Sequence, residues 1–177
     1  MPESTVPDSS EDRPRIRDAR AEEIDQVALL IRDAYQEYQA SIPVEVWEGY
    51  ARDIMDVRGR LDVTELIVAE HRGGLLGAVT FYPNTPPAEQ GGWPSGWTGI
   101  RLLAVQPDGR GLGIARALMN ECLRRSRQLG AHTLDLHTTE LMAVARGMYE
   151  RMGFIRVPEY DFHPGPTMVV MAYRLEL

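Results

Sequence analysis

VQPDGRGLGIARAL, residues 105–118, sets three glycines and two arginines between an apolar run and an amphipathic stretch. The run LLAV ends at Val105, and Pro107 and Asp108 start a turn. The spacing then predicts a helix over about residues 111–129, with Ala115, Leu118, Met119, Cys122 and Leu129 on its apolar face. A helix that begins here leaves its first N–H groups without intrahelical partners, and its dipole favours an anion. Gly111 and Gly113 carry no Cβ, so a bulky phosphate can approach the backbone, and Arg110 adds a charge that does not titrate away. The corner suits a pyrophosphate. Two nucleotide motifs fail here: the Walker pattern lacks its lysine, and in G-x-G-x-x-G the third glycine is replaced by Ile114 or Arg116.

Working outward, residues 21–39 place Ile24, Val27, Ala28, Ile31, Ala34, Tyr35 and Tyr38 at helical spacing, and residues 44–57 predict a second helix behind Pro43. Trp47 on that helix can face either ligand or core. Two apolar runs, residues 65–71 and 75–82, are joined by Arg72-Gly73-Gly74 in the pattern of a hairpin. Residues 83–99, with four prolines, four glycines, Trp93 and Trp97, predict a loop that is either a pocket wall or a surface insertion. Beyond the corner the expected order is a strand over 133–137, a helix over 140–152 and strands near 154–157 and 168–175. Thr139 is the expected N-cap of that helix, and Gly153 its left-handed end. Strands and helices thus alternate through the middle, and a mixed α/β sheet follows. Residues 1–13, rich in Pro, Ser and acid, read as a tail, and residues 14–177 as one domain.

All nineteen basic residues are arginines, which excludes phosphate-loop lysines, Schiff-base lysines and Ser-Lys pairs. A net charge of -7 disfavours nucleic acid or an anionic membrane as partner and mildly favours a cationic small substrate. Arg124, Arg125 and Arg127 read as a solvated helix face. One cysteine permits no internal disulfide, and no apolar run approaches the roughly 18 residues of a membrane span, so a cytoplasmic setting is expected. Asp135 and His137 share a strand face while His132 points the other way, so no metal is expected. Ser95 lacks the G-x-S-x-G elbow of a serine nucleophile.

Arg110-Gly111-Leu112-Gly113-Ile114-Ala115 fits the pattern Q/R-x-x-G-x-G/A, and Ala145, Tyr149 and Gly153-Phe154 fit A-x-x-x-Y-x-x-x-G-F downstream. In both motifs, and in the order of its elements, the chain resembles the GNAT superfamily of N-acyltransferases. The resemblance implies an α/β (α+β) fold with a mixed, mostly antiparallel central sheet. It would have about six to seven strands flanked by about four helices, splayed at the fourth strand. It further implies acetyl-coenzyme A as co-substrate, with no metal. Leu103, Ala104 and Val105 would line its pantetheine arm, and Arg110, Gly111, Leu112, Gly113, Ile114, Ala115 and Arg116 its pyrophosphate. Tyr149 would protonate the departing thiolate, and the Val105 N–H would polarise the thioester carbonyl. No covalent enzyme intermediate is required, and Cys122 reads as packing.

Two positions depart from the family pattern. Gly99 stands where many members place a carboxylate, and Met142 where many carry asparagine. The general base is therefore open among water, Glu89, Asp161 and His163. These departures motivate a second reading, an acyl-coenzyme A binding or sensing module without catalysis. The acceptor, a small-molecule or peptide amine, is expected against the first two helices and the loops at 83–99 and 158–166. Trp47, Tyr50, Trp93 and Tyr160 are candidate walls there, and a homodimer is implied by resemblance alone.

Overall fold

The computed structural model of the chain describes residues 13–84, 93–165 and 168–177. Its strands are β1 (Arg15–Asp18), β2 (Glu65–His71), β3 (Gly74–Tyr82), β4 (Trp97–Val105), β5 (Thr133–Thr138), β6 (Ile155–Arg156), β7 (Phe162–Gly165) and β8 (Met168–Glu176). Its helices are α1 (Ile24–Tyr35), α2 (Val44–Met55), α3 (Ile114–Gln128) and α4 (Ala143–Arg151). The sheet runs β1-β2-β3-β4-β5-β8-β6, with β7 on β8 off that path. Among the described pairings β4 with β5 is parallel and the rest are antiparallel. This is the mixed, mostly antiparallel sheet with four helices that the motifs implied. The tail expected at the N-terminus lies outside the described residues apart from Arg13, as do residues 85–92 of the 83–99 loop.

The two strands that the sequence pattern did not place are β1 and β7, four residues each, too short to show a period of two and recognisable only by their partners. β4 starts at Trp97, inside the stretch expected as a loop, because Trp97, Thr98 and Gly99 find parallel partners in Thr133, Leu134 and Asp135. Both turns flanking α1, residues 21–23 and 36–41, are 3-10 rather than α. α4 starts at Ala143, not at residue 140. A turn closed by Met142 N–H on the Thr139 carbonyl at 3.1 Å precedes it, so Thr139 is not the cap. The β2–β3 hairpin turns through Arg72 and Gly73, both at positive φ as a two-residue type I′ turn requires.

Alternation along the strands splits the core between the two faces. Leu66, Val68, Ala78 and Ala104 pack with α1 and α2, where Trp47 is buried. Ile67, Val79, Phe81, Leu134 and Leu136 pack with α3 and α4. Leu129, expected on the apolar face of α3, is exposed beyond the helix end. Arg125 is no solvated residue either: it is largely buried in ion pairs with Glu65, Asp18 and Glu121. No described helix is long and apolar enough to cross a membrane.

One irregularity positions everything that follows. β4 pairs with β5 only from Trp97 to Ile100 and then continues along β3 alone. Thr80 faces Arg101 while Ala78 faces Ala104, so β4 carries one residue more than β3 across this step. The extra residue is absorbed at a bulge where Leu102 sits at φ +55°. β4 and β5 part here.

Candidate active site

A cavity of about 660 Å³ opens where the two strands diverge. Leu103, Ala104 and Val105 line it from β4, and Arg110, Gly111, Gly113, Ile114, Ala115 and Arg116 from the turn and first residues of α3. Leu112 alone of the expected cofactor residues lies outside it, with its side chain exposed. Gln106 N–H donates to the Leu76 carbonyl at 2.8 Å, closing the ladder with β3. Alternation of an antiparallel ladder then puts the neighbouring Val105 opposite Gly77 in the position that makes no bonds to β3, so its N–H turns toward the side β5 has left.

The turn after β4 brings α3 to the cavity end-on. The first bond of α3 runs from Ala117 N–H to the Gly113 carbonyl at 2.9 Å, so the amides of Ile114, Ala115 and Arg116 precede it. Gly111 and Gly113 sit at φ +79° and +74°, which L side chains resist, and nothing lies within 4 Å of the place a Cβ would occupy. An open rim with unpaired amides at a helix N-terminus fits a diphosphate. Arg110 stands on that rim, but its guanidinium is paired with Glu37 at 2.8 Å, and both side chains are about half exposed. Glu37 and the neighbouring Tyr38 were not foreseen as site residues; they belong to the 3-10 turn that extends the apolar stripe of α1 into the cavity wall.

Tyr149 is held by the way α4 ends. Phe154 N–H bonds the Tyr149 carbonyl and Gly153 N–H the Glu150 carbonyl, both at 3.0 Å, while Gly153 takes φ +94°. That is a Schellman ending, and the ring of Phe154 lies 5.8 Å from the ring of Tyr149 as its apolar partner. The spacing Tyr-x-x-x-Gly-Phe is thus a local device that fixes the tyrosine. Its side chain is buried and lines the cavity, and its hydroxyl makes no hydrogen bond among the described residues. Burial pushes the phenol well above its ordinary pKa, so the proton stays on it at neutral pH. Cys122 nearby is buried, with its thiol pushed up for the same reason, so it is no thiolate nucleophile.

The other end of the cavity is built from side chains. Gly99 lies beside Asp135 in the parallel register. A Cβ on Gly99 would stand 2.1 Å from Trp93, so the indole fills the space where a carboxylate was expected from the family pattern. Asp135 is fully buried, neither carboxylate oxygen has a hydrogen-bond partner among the described residues, and burial pushes its pKa up to about 8. His137, on the cavity wall, puts Nδ1 at 3.4 Å from Asp135 and Nε2 at 3.0 Å from the Tyr160 carbonyl. A carbonyl only accepts, so Nε2 carries a hydrogen, and Nδ1 is left as the acceptor nitrogen on the side of Asp135. Burial also lowers the pKa of His137. Burial thus favours the neutral form of both groups.

The expected bases are placed elsewhere. Asp161 is held by Arg156 and by the Ala172 N–H, which together keep its carboxyl below the usual range against the effect of burial. His163 is exposed on β7, a strand rather than a loop, and Glu89 lies outside the described residues. Met142 lines the cavity, and the rings of Trp97 and Tyr160 meet at a tilt, 5.4 Å apart, outside it. Arg101, which the sequence did not single out, lines the cavity just past the point where β4 leaves β5. Tyr35 closes the same wall, its hydroxyl donating to the Leu103 carbonyl at 3.3 Å. Among the described residues no three His, Cys, Asp or Glu side chains converge as metal ligands.

Comparison with known proteins bears on this geometry. Residues 25–154 match the model of the acetyltransferase (GNAT) family. The chain is 25% identical over 156 residues to an uncharacterized N-acetyltransferase of Schizosaccharomyces pombe, covering 88% of this chain and 90% of that protein. It is 30% identical over 145 residues to the mycothiol acetyltransferase of Propionibacterium freudenreichii subsp. shermanii, covering 79% of this chain but 42% of that protein. In fold it is similar to yncA of Salmonella typhimurium, solved with its cofactor acetyl-CoA. The TM-score is 0.63 at 16% identity over 93% of this chain and 94% of that one.

Proposed function

The chain belongs to the GNAT acetyltransferase family, and from that premise we propose that it transfers the acetyl group of acetyl-coenzyme A directly to a primary amine of a small molecule or peptide. One observation carries the reading: a single cavity joins the free amides of α3, the outward N–H of Val105 and the hydroxyl of Tyr149. The diphosphate is held at the amides of residues 111–116, and the acetyl carbonyl is polarised by Val105 N–H. The amine nitrogen attacks the carbonyl carbon, the C–N bond forms and the C–S bond breaks. Tyr149 gives its proton to the departing thiolate and is reprotonated from solvent. The amine proton passes to water, because burial keeps the proton on Asp135 and disfavours the charged form of His137, and Glu37, the described carboxylate on the wall, is taken by Arg110. A homodimer and a cytoplasmic setting belong to the same reading.

The rival, a binding module without transfer, draws support from Trp93 filling the place beside Gly99. Two measurements separate the readings. A thermal shift with acetyl-coenzyme A and coenzyme A, and none with ATP, tests the carrier. Thiol release across a panel of amines, compared between the wild type and Tyr149→Phe, tests transfer. Carrier binding with no amine turnover above hydrolysis would leave the module reading standing alone.

A further inference from the structure

The side chain of Arg101 is three-quarters buried, at 25% exposure, yet its guanidinium makes no hydrogen bond among the described residues. Its nearest carboxylate, Asp53, stands 3.9 Å away and is already engaged by Arg60 at 3.1 Å. The three residues together therefore carry one uncompensated positive charge. Tyr35 and His137 line the same cavity as Arg101, and they and Tyr50 feel its charge, two phenols and an imidazole that supply no anion. A guanidinium has five donors in a planar fork, and leaving them unused in a largely buried wall is costly unless a ligand uses them. Arg110, by contrast, has its carboxylate in place.

We infer that Arg101 is an anion-binding residue in the acceptor half of the cavity, and that the acceptor is an amine bearing a carboxylate a few bonds from its nitrogen, as in an amino acid. A monoanion matches the single uncompensated charge, whereas a phosphate dianion would exceed it. The place fits as well. Arg101 lies four residues before Val105 on β4 with the bulge at Leu102 between them, and their partners Thr80 and Gly77 on β3 are three residues apart, about 10 Å along the sheet at the usual rise. A carboxylate held there enters from the α1–α2 face, away from the diphosphate rim at α3. The amine part of the inference rests on the acetyl-transfer reading; the anion site does not.

The test pairs acids with their amides. Free amino acids and the corresponding amino acid carboxamides are titrated calorimetrically into the coenzyme A-loaded wild type, Arg101→Gln and Arg101→Lys. The same pairs serve as acceptors in the thiol-release assay. The wild type is expected to favour the acid over its amide by about 10- to 100-fold in Kd and in kcat/KM, the span of one charge-assisted contact. In Arg101→Gln that ratio collapses toward one with the affinity for acetyl-coenzyme A unchanged, and Arg101→Lys restores part of it. Each ratio is taken within one variant, so a smaller folded fraction cancels. Amides bound as well as acids, a ratio that survives in Arg101→Gln, or no acid binding at all overturns the anion site. Arg101-dependent binding of acids without any transfer supports the anion site and defeats the acetyl-transfer reading. Turnover of amines indifferent to the carboxylate does the reverse.

Discussion

At the α3 end of the cavity the polar groups are backbone amides, and at the β4–β5 end they are side chains brought together by strand register. The two arginines display the contrast. Arg110, flanked by glycines, is half exposed and already paired with Glu37, whereas Arg101, in an unremarkable apolar run, is largely buried with no hydrogen bond among the described residues. An end made of backbone needs glycines and a marked helix start, which leave a signature in consecutive residues. An end made of side chains from neighbouring strands needs only the right register, which leaves none. The two ends also carry different energies: one offers dipoles in the open, the other buried titratable groups whose protonation is tied to folding.

The largest effect expected at the backbone-built end falls on chemistry. Tyr149→Phe is expected to lower kcat by about 10²- to 10⁴-fold, or roughly 3–5 kcal/mol in the barrier. Acetyl-coenzyme A affinity should stay unchanged, as read by calorimetry beside steady-state turnover. The cavity holds no second described hydroxyl fixed in the same way, so a variant that keeps wild-type kcat would remove Tyr149 from the reaction.

Next comes a test of the side-chain end that needs no substrate. The Asp135 carboxyl is pushed up to about 8 by burial from an unperturbed 3.8, so the folded state keeps a proton that the unfolded state gives up. The stability this proton represents is fully present below about pH 4 and is lost as pH rises through 8, at about 1.4 kcal/mol per pH unit between the two values. Glu23 and Glu121, held down to about 2 by Arg17 and Arg124, titrate below that window. His137, whose pKa is lowered by burial, acts with the opposite sign below its ordinary 6.5. Between pH 6.5 and 8 the wild type should therefore lose about 2 kcal/mol relative to Asp135→Asn in urea unfolding. The asparagine amide can still donate to Nδ1 of His137. Parallel profiles for the two proteins would mean that Asp135 is ionised in the folded state.

How much of this was legible follows from the same distinction. The turn at 105–116 and the Tyr149 to Phe154 spacing could be read because each is a local rule, an exposed helix start and a Schellman end, written in adjacent residues. The hairpin at Arg72-Gly73 was readable for the same reason. β1 and β7 were not, since four residues supply no period, nor were the first residues of β4, whose order comes from β5. Gly99 was read as a missing carboxylate, but Asp135 beside it and Trp93 above it could be found only through the parallel register and the packing. Thr139 looked like a helix cap from its type alone, yet its hydroxyl is buried without a partner among the described residues and the helix begins at Ala143. Arg101 gave no sign, because its interest lies in what does not touch it.

A smaller effect probes how far the local rule controls the tyrosine. Gly153 at φ +94° also faces Leu175 at 3.4 Å from the place of a Cβ, so Gly153→Ala should cost roughly 1 kcal/mol in unfolding free energy through the left-handed backbone. The loss should come with a fall in kcat rather than in acetyl-coenzyme A affinity, because Tyr149 and Phe154 share the hydrogen bond that Gly153 permits. An unchanged kcat at reduced stability would separate the end of α4 from the placing of its tyrosine.

The smallest effect separates the two arginines most sharply. Glu37 and Arg110 form an ion pair between side chains about half exposed, and such pairs contribute little, so Glu37→Gln should change stability by less than about 0.5 kcal/mol. Its effect on binding should have the opposite sign. The pair occupies the fork that the diphosphate would use, and freeing it should tighten acetyl-coenzyme A by about two- to fivefold, within about 1 kcal/mol. That gain should shrink as salt rises, because both charges sit in water. The preference for acids over amides at Arg101 should not move, since that guanidinium lies on the far side of the bulge and is paired with neither residue. A shift in that preference, or an affinity for the carrier that ignores Glu37, would mean that the ends of the cavity are not independent, and that Arg110 serves the 3-10 turn after α1 rather than the diphosphate.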